Sequence, residues 1–159
     1  MKKVLMVFTL IVNIGFIFGQ DVSMAVMPFD VIGNAVTVDE AEVITELYIS
    51  ELVQANKIKI VDRANFDKVL KELNFQKSDW SNSEKTAKLG QALNARFISR
   101  GKIMKIGDNY NISVSVIDIV TSEFVAASTS RDKNLDTIVD NLYSKIAKPV
   151  ATAVQREVE

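Results

Sequence analysis

Apolar and polar residues change rhythm several times along the chain, and each rhythm predicts an element. Residues 22–29 (VSMAVMPF) form a short apolar run closed by Pro28 and Asp30, which reads as a buried strand. The polar stretch DVIGNAVTVDEAE then reads as a loop, with Gly33-Asn34 as turn residues. Thr37 or Asp39 can cap the helix that follows, where Ala41, Ile44, Leu47, Tyr48, Leu52 and Ala55 recur on one face and Asn56 is the expected stop. Residues 57–62 (KIKIVD) alternate as a second strand. Strand, crossover helix and strand make a βαβ unit, so these two strands should run parallel.

Residues 60–76 (IVDRANFDKVLKELNFQ) pass from strand to helix. Phe66, Val69, Leu70 and Leu73 fall at i, i+3, i+4 and i+7, a core stripe. Asp62 sits where a cap belongs, and Asp67 and Lys71 are spaced for an i,i+4 pair. Ser81 and Glu84 have the spacing of a capping box for another helix, with Ala87, Leu89, Ala92 and Leu93 on its face and Gly90 as a close-packing point. The rhythm then shortens to three strand-like runs. Gly107-Asp108-Asn109 signals a hairpin, Ile112, Val114 and Val116 alternate with polar residues, and the parity shift at Val116-Ile117 marks a bulge. VTSE supplies the next turn. From Asn134 a last helix carries Ile138, Leu142 and Ile146, and Pro149 should kink or end it. The order is β-α-β-α-α-β-β-β-α, an α/β fold with a mixed sheet covered by helices.

The first twenty residues have a different character. Lys2 and Lys3 precede an apolar run over residues 4–18, too short for a bilayer span of about 20 residues. This is the pattern of a secretory signal peptide. Cleavage after Gly19 would leave Ile17 at the −3 position, and cleavage after Gln20 would leave Phe18 there, neither of them small. The expected organisation is a signal peptide over 1–20 and one domain over 21–159. Without Lys2 and Lys3 the chain keeps 17 basic residues against 20 acidic ones, a net charge of −3. That balance does not attract phosphate backbones, so nucleic acid is not an expected partner. No second apolar run reaches spanning length, so no membrane-spanning segment is expected in the mature chain.

The sequence has no histidine and no cysteine. The usual general base, the commonest metal ligand, the thiol nucleophile and any acylated cysteine are therefore missing. No phosphate-binding or nucleophile-elbow motif occurs. Ser99 and Lys102 match S-x-x-K, but in a strand residues three apart point to opposite faces. Asn111-Ile112-Ser113 is a formal glycosylation sequon inside a strand pattern. Asp62 and Asp118 lie at strand ends, where paired carboxylates could do acid-base work or bind a hard cation, and a small ligand or glycan could use the strand ends near Asp30, Asp62 and Asp118. The plainer reading is that Asp62 caps a helix and Asp118 fixes a turn. Arg63 opposes the helix dipole at its position, so it is expected to turn to a carboxylate as a structural ion pair, with a recognition role as the alternative. Phe75 and Trp80, the only tryptophan, lie in a polar connection and are candidates for a partner surface, the other reading of Trp80 being that it folds back over the core. No catalytic, cofactor-binding or metal-ligating residue is expected, and no cofactor.

Taken in order, MAVMPFD, IKIVDRANFDKVLKELNFQ, EKTAKLGQALNARFISRGKI and GDNYNISVSVIDIVTSEFVAAS resemble successive blocks of the domain shared by CsgG and the LpoB-like activators of penicillin-binding proteins. The resemblance implies a three-layer α/β domain of the anticodon-binding type and a periplasmic or outer-membrane location. It implies a non-enzymatic role, since relatives build secretion pores or stimulate cell-wall synthases. Arg63, Phe66 and Leu70 carry over as fold-defining positions, together with Gly101 and Asp118. Ser122 stands where relatives often have glycine. With no cysteine to acylate, no lipid anchor is expected, and the alternating segments of pore-forming hairpins are missing. The expectation is an exported envelope module that docks on another envelope protein or self-assembles as a homo-oligomer. The alternative is a periplasmic small-ligand or glycan-binding domain.

Overall fold

A computed structural model describes residues 22–55, 58–76, 78–79 and 82–159. The expected signal peptide, the stop at Asn56, Trp80 and the cap at Ser81 lie outside the described residues. The elements are β1 (Val22–Val26), β2 (Asp30–Ile32), α1 (Val38–Gln54), β3 (Ile58–Ile60), α2 (Arg63–Glu72), α3 (Ser83–Leu93), β4 (Phe97–Ile106), β5 (Asn109–Asp118), β6 (Glu123–Asp132), α4 (Leu135–Asp140), a π-helical turn (Tyr143–Ala147) and α5 (Lys148–Arg156).

They build one mixed sheet in the order β3-β1-β4-β5-β6, with β2 also paired to β4. Met24 sits opposite both Ile60 and Phe97 in parallel register, so the expected βαβ unit is present. The β4-β5-β6 meander is antiparallel, and its register shifts at Val116/Ile117 where parity predicted a bulge. The strand β2 is a correction to the loop expected there. Pro28 has no N–H to give to the ladder, so the first strand breaks. Phe29 turns its N–H to Thr45 Oγ1 at 3.0 Å, and the chain then rejoins the sheet with Asp30 opposite Lys102. The Phe29 ring lies so close to Gly101 that a Cβ there would come within 2.2 Å of it.

Helices cover both faces of the sheet. On one face Ile44, Tyr48 and Leu52 of α1, with Ile138, Leu142, Ile146, Val150 and Val154 of the C-terminal helices, pack on Met24, Val26, Phe97, Ile112, Val114 and Val116. On the other, Phe66 and Val69 of α2 and Leu89 and Leu93 of α3 pack on Ala25, Ile98 and Ile119. The alternation of Met24 and Val26 with Ala25 delivers side chains to both layers. At Gly90 a Cβ would meet Ile119 at 2.1 Å, which is the close packing the sequence suggested.

Thr37, rather than Asp39, caps α1: its hydroxyl accepts from Glu40 N–H at 3.2 Å and the Glu40 carboxylate accepts from Thr37 N–H at 2.7 Å. Leu47 does not join the core but stays 39% exposed. Thr45 is buried instead, because Ala41 O and Phe29 N–H satisfy its hydroxyl. Asn82 caps α3 by accepting from Lys85 N–H at 3.0 Å, one residue beyond the expected cap. Pro149 does not end the last helix. The wide turn at Tyr143–Ala147 lies just before it, and α5 runs on to Arg156. An i→i+5 turn absorbs the hydrogen bond that proline cannot make.

Candidate functional site

The junction between β3 and the second helical layer is built from local rules. The Asp62 carboxylate accepts from Asn65 N–H at 3.1 Å and starts α2. Phe66 is fully buried and Leu70 half-buried against the second core. Arg63, on the first turn, swings out to Glu42 at 3.4 Å and Glu46 at 3.3 Å on α1, with Asp67 at 3.9 Å. Three carboxylates thus surround its guanidinium, which is the geometry of a structural ion pair. These groups are half-exposed, so the cluster is worth less than about 1 kcal/mol.

The helix ends earlier than its stripe suggests. Leu73 is the C-cap of α2 and is 40% exposed, not buried. Asn74 takes φ +47, and Phe75 N–H bonds back to Leu70 O at 2.9 Å. This left-handed ending reverses the chain and returns Phe75 half-buried onto the second core. Leu73, Phe75, Lys85 and Lys88 line a small groove of about 160 Å³. Beside it, Asp79 accepts from Lys85 Nζ at 2.7 Å and from Gln76 N–H at 2.8 Å. The hydrogen bond from Lys85, then that from Gln76, holds the Asp79 carboxyl below the usual range. Lys88 pairs with Glu84 at 2.8 Å. The groove is therefore lined by the apolar Leu73 and Phe75 and by two lysines that are each paired with a carboxylate. Periodicity alone missed Leu73. The one signal was its place at the end of the stripe, next to an asparagine able to adopt the left-handed turn.

The aspartates proposed for chemistry do not converge. Asp30 is in register with Lys102 and Asp118 with Phe97, five positions apart on β4 and so roughly 17 Å apart along the strand. Asp62 follows β3, three strand spacings from β5, roughly 14 Å across the sheet from Asp118. Carboxylate pairs that share a reaction stand within about 10 Å. Asp118 is instead locked. Arg96 donates to its Oδ2 at 3.0 Å, Val120 N–H donates to its Oδ1 at 2.8 Å, and Arg96 also reaches the Glu157 carbonyl at 2.9 Å. It ties the end of the sheet to the C-terminal helix, and its bond to Val120 fixes the turn as expected. Ser99 is buried on Tyr48 Oη at 3.0 Å while Lys102 is exposed, so they form no catalytic pair. Asn111 is buried in β5. Among the described residues no group of three or more acidic side chains could hold a metal ion. Among them, too, no helix is long and apolar enough to cross a membrane.

The family model described as "Peptidoglycan-synthase activator LpoB" matches residues 36–130. The chain belongs to the LpoB family. The matched span runs from α1 into β6, and holds Arg63, Phe66, Leu70, Leu73, Phe75, Gly101 and Asp118. Solved structures share the LpoB-type fold at low identity. The C-terminal domain of LpoB from Salmonella enterica aligns at TM-score 0.58 and 13% identity, over 72% of this chain and 84% of that one. The Escherichia coli domain gives 0.57 and 12%, over 70% and 82%. Lipoprotein GNA1162 from Neisseria meningitidis gives 0.59 and 12%, over 79% and 96%. No curated protein sequence matches the chain. The LpoB side of the expected resemblance therefore stands, while the CsgG side finds no support in these matches.

Proposed function

We propose that this LpoB-family chain is an exported, non-enzymatic module of the bacterial envelope that docks on a peptidoglycan synthase and activates it. The family match over residues 36–130 carries the reading. The groove of Leu73, Phe75, Lys85 and Lys88 is the proposed contact. Its apolar lining takes one apolar anchor. Activation needs no chemistry from this chain. A binder that holds the active conformation of a synthase more tightly than the inactive one raises the active fraction by that ratio. The place of action is the periplasm or the periplasmic face of the outer membrane.

The test is binding of the purified protein to a class A penicillin-binding protein of the same envelope, alongside a glycan-polymerisation assay. Saturable binding and a faster polymerisation rate are expected, with a shift in Trp80 emission on complex formation. Leu73→Ser should weaken binding about tenfold without lowering Tm. A rate unchanged at saturating protein would remove the activator reading, and Leu73→Ser binding as tightly as the native chain would move the contact elsewhere.

A further inference from the structure

A second groove lies on the other helical layer. Val43 and Leu47, one turn apart on α1, face Leu135 and Val139, one turn apart on α4, with Ile44 at the floor. The groove measures about 370 Å³. Val43 is 59% and Leu47 39% exposed, so these aliphatic groups meet water although a large core lies directly beneath them. The charged groups that line the groove are Asp39, Glu40 and Asp136, all acidic. Their seats in the first turns of α1 and α4 suit the helix dipoles. The dipoles do not account for the exposed Val43 and Leu47 beside the partly buried Leu135 and Val139. An apolar trough rimmed by charge of one sign is the shape of an interaction site.

We infer that this trough receives an amphipathic helical segment of a partner protein, with aliphatic residues one turn apart and Lys or Arg along its flanks. The paired rows match the i,i+4 spacing of such a helix, and the three carboxylates complement its cations. Glu40 is held in place by Thr37 N–H and hydroxyl, so its charge is fixed at the groove mouth. This inference deepens the reading of the chain as a docking module. It uses a surface separate from Leu73 and Phe75, so the two fail independently.

The probe is a fluorescent leucine–lysine peptide designed as an amphipathic helix, with a scrambled peptide of the same composition as control. Anisotropy should show saturable binding of the ordered peptide, several-fold tighter than the scrambled one and weaker with rising salt. Val43→Ser and, separately, Leu47→Ser should each cost about tenfold in affinity. Both side chains are exposed, so Tm should hold. Asp39→Asn with Asp136→Asn should flatten the salt dependence. Leu73→Ser should leave peptide binding unchanged. Equal affinity for ordered and scrambled peptides, or native affinity in Val43→Ser, would overturn the inference. So would sedimentation showing a native dimer that Val43→Ser dissociates, since a second copy would then be the occupant.

Discussion

The two helical layers bury very different amounts of the molecule. Among the described residues, 23 buried side chains join the core under α1, α4 and α5, against eight in the core under α2 and α3. The first layer backs most of the sheet. The second is centred on Ala25, Ile98 and Ile119, and farther along that face Lys102, Thr129 and Arg131 are exposed. The proposed synthase contact lies on the thinner of the two. The thick layer holds the fold together, and the thin one carries the turn that exposes Leu73. A segment with few buried contacts opens more easily, which suits a surface that must adapt to a partner.

The sharpest way to break that contrast is one large deletion in each layer. Phe97→Ala and Phe66→Ala should each cost about 3–5 kcal/mol. They should differ in hydrogen exchange. Phe66→Ala should release the amides of α2 and α3 while α1 and α5 stay protected, whereas Phe97→Ala should lower protection everywhere. Equal loss across both layers in Phe66→Ala would mean that the layers do not differ in autonomy. Next comes Asp118→Ala, which leaves Val120 N–H without its acceptor and Arg96 with only the Glu157 carbonyl, and should cost about 2 kcal/mol in denaturant unfolding.

Smaller effects sharpen the same contrast. Burial pushes the Tyr48 hydroxyl far above its ordinary range, so it stays neutral and paired with Ser99. Tyr48→Phe removes that buried bond and should cost about 1 kcal/mol. Arg63→Ala, at half-exposed pairs, should cost less than about 1 kcal/mol, and added salt should shrink the difference. A larger loss for Arg63→Ala than for Tyr48→Phe would reverse the ranking of the layers. The last effect concerns pH. Because the folded-state pKa of Asp79 is lowered, its contribution is complete above the ordinary value of 3.8. It drains as pH falls below that, through the folded value. Asp79→Asn should abolish this part of the acid dependence in a titration of Tm.

Much of this arrangement was legible before any coordinates, and the reason is locality. The caps at Thr37 and Asp62, the hairpin at Gly107, the bulge at Val116 and the contact at Gly90 each depend on a few neighbouring residues and one rhythm. What escaped was decided at long range. Thr45 outranks Leu47 for the core because Phe29, sixteen residues earlier, needs an acceptor for its N–H. The strand β2 was hidden by Pro28 and is only three residues long. Leu73 fits the stripe by number, yet the helix stops at Glu72 and the chain turns away beneath it. The wide turn before Pro149 has no pattern of its own. As to the site, the stretch from Phe75 onward stood out by its aromatics, but the groove needed the exposed Leu73 and the position of Lys85, which the fold alone supplies.

The central claim is that this chain acts by docking on a peptidoglycan synthase through the thin layer. Surface plasmon resonance of the purified protein on an immobilised class A penicillin-binding protein from the same envelope tests it most directly. Saturable binding that Leu73→Ser weakens about tenfold, and that Val120→Ser, on the turn after β5, leaves unchanged, is the predicted result. No binding at any attainable concentration, or equal binding by Leu73→Ser, would contradict it.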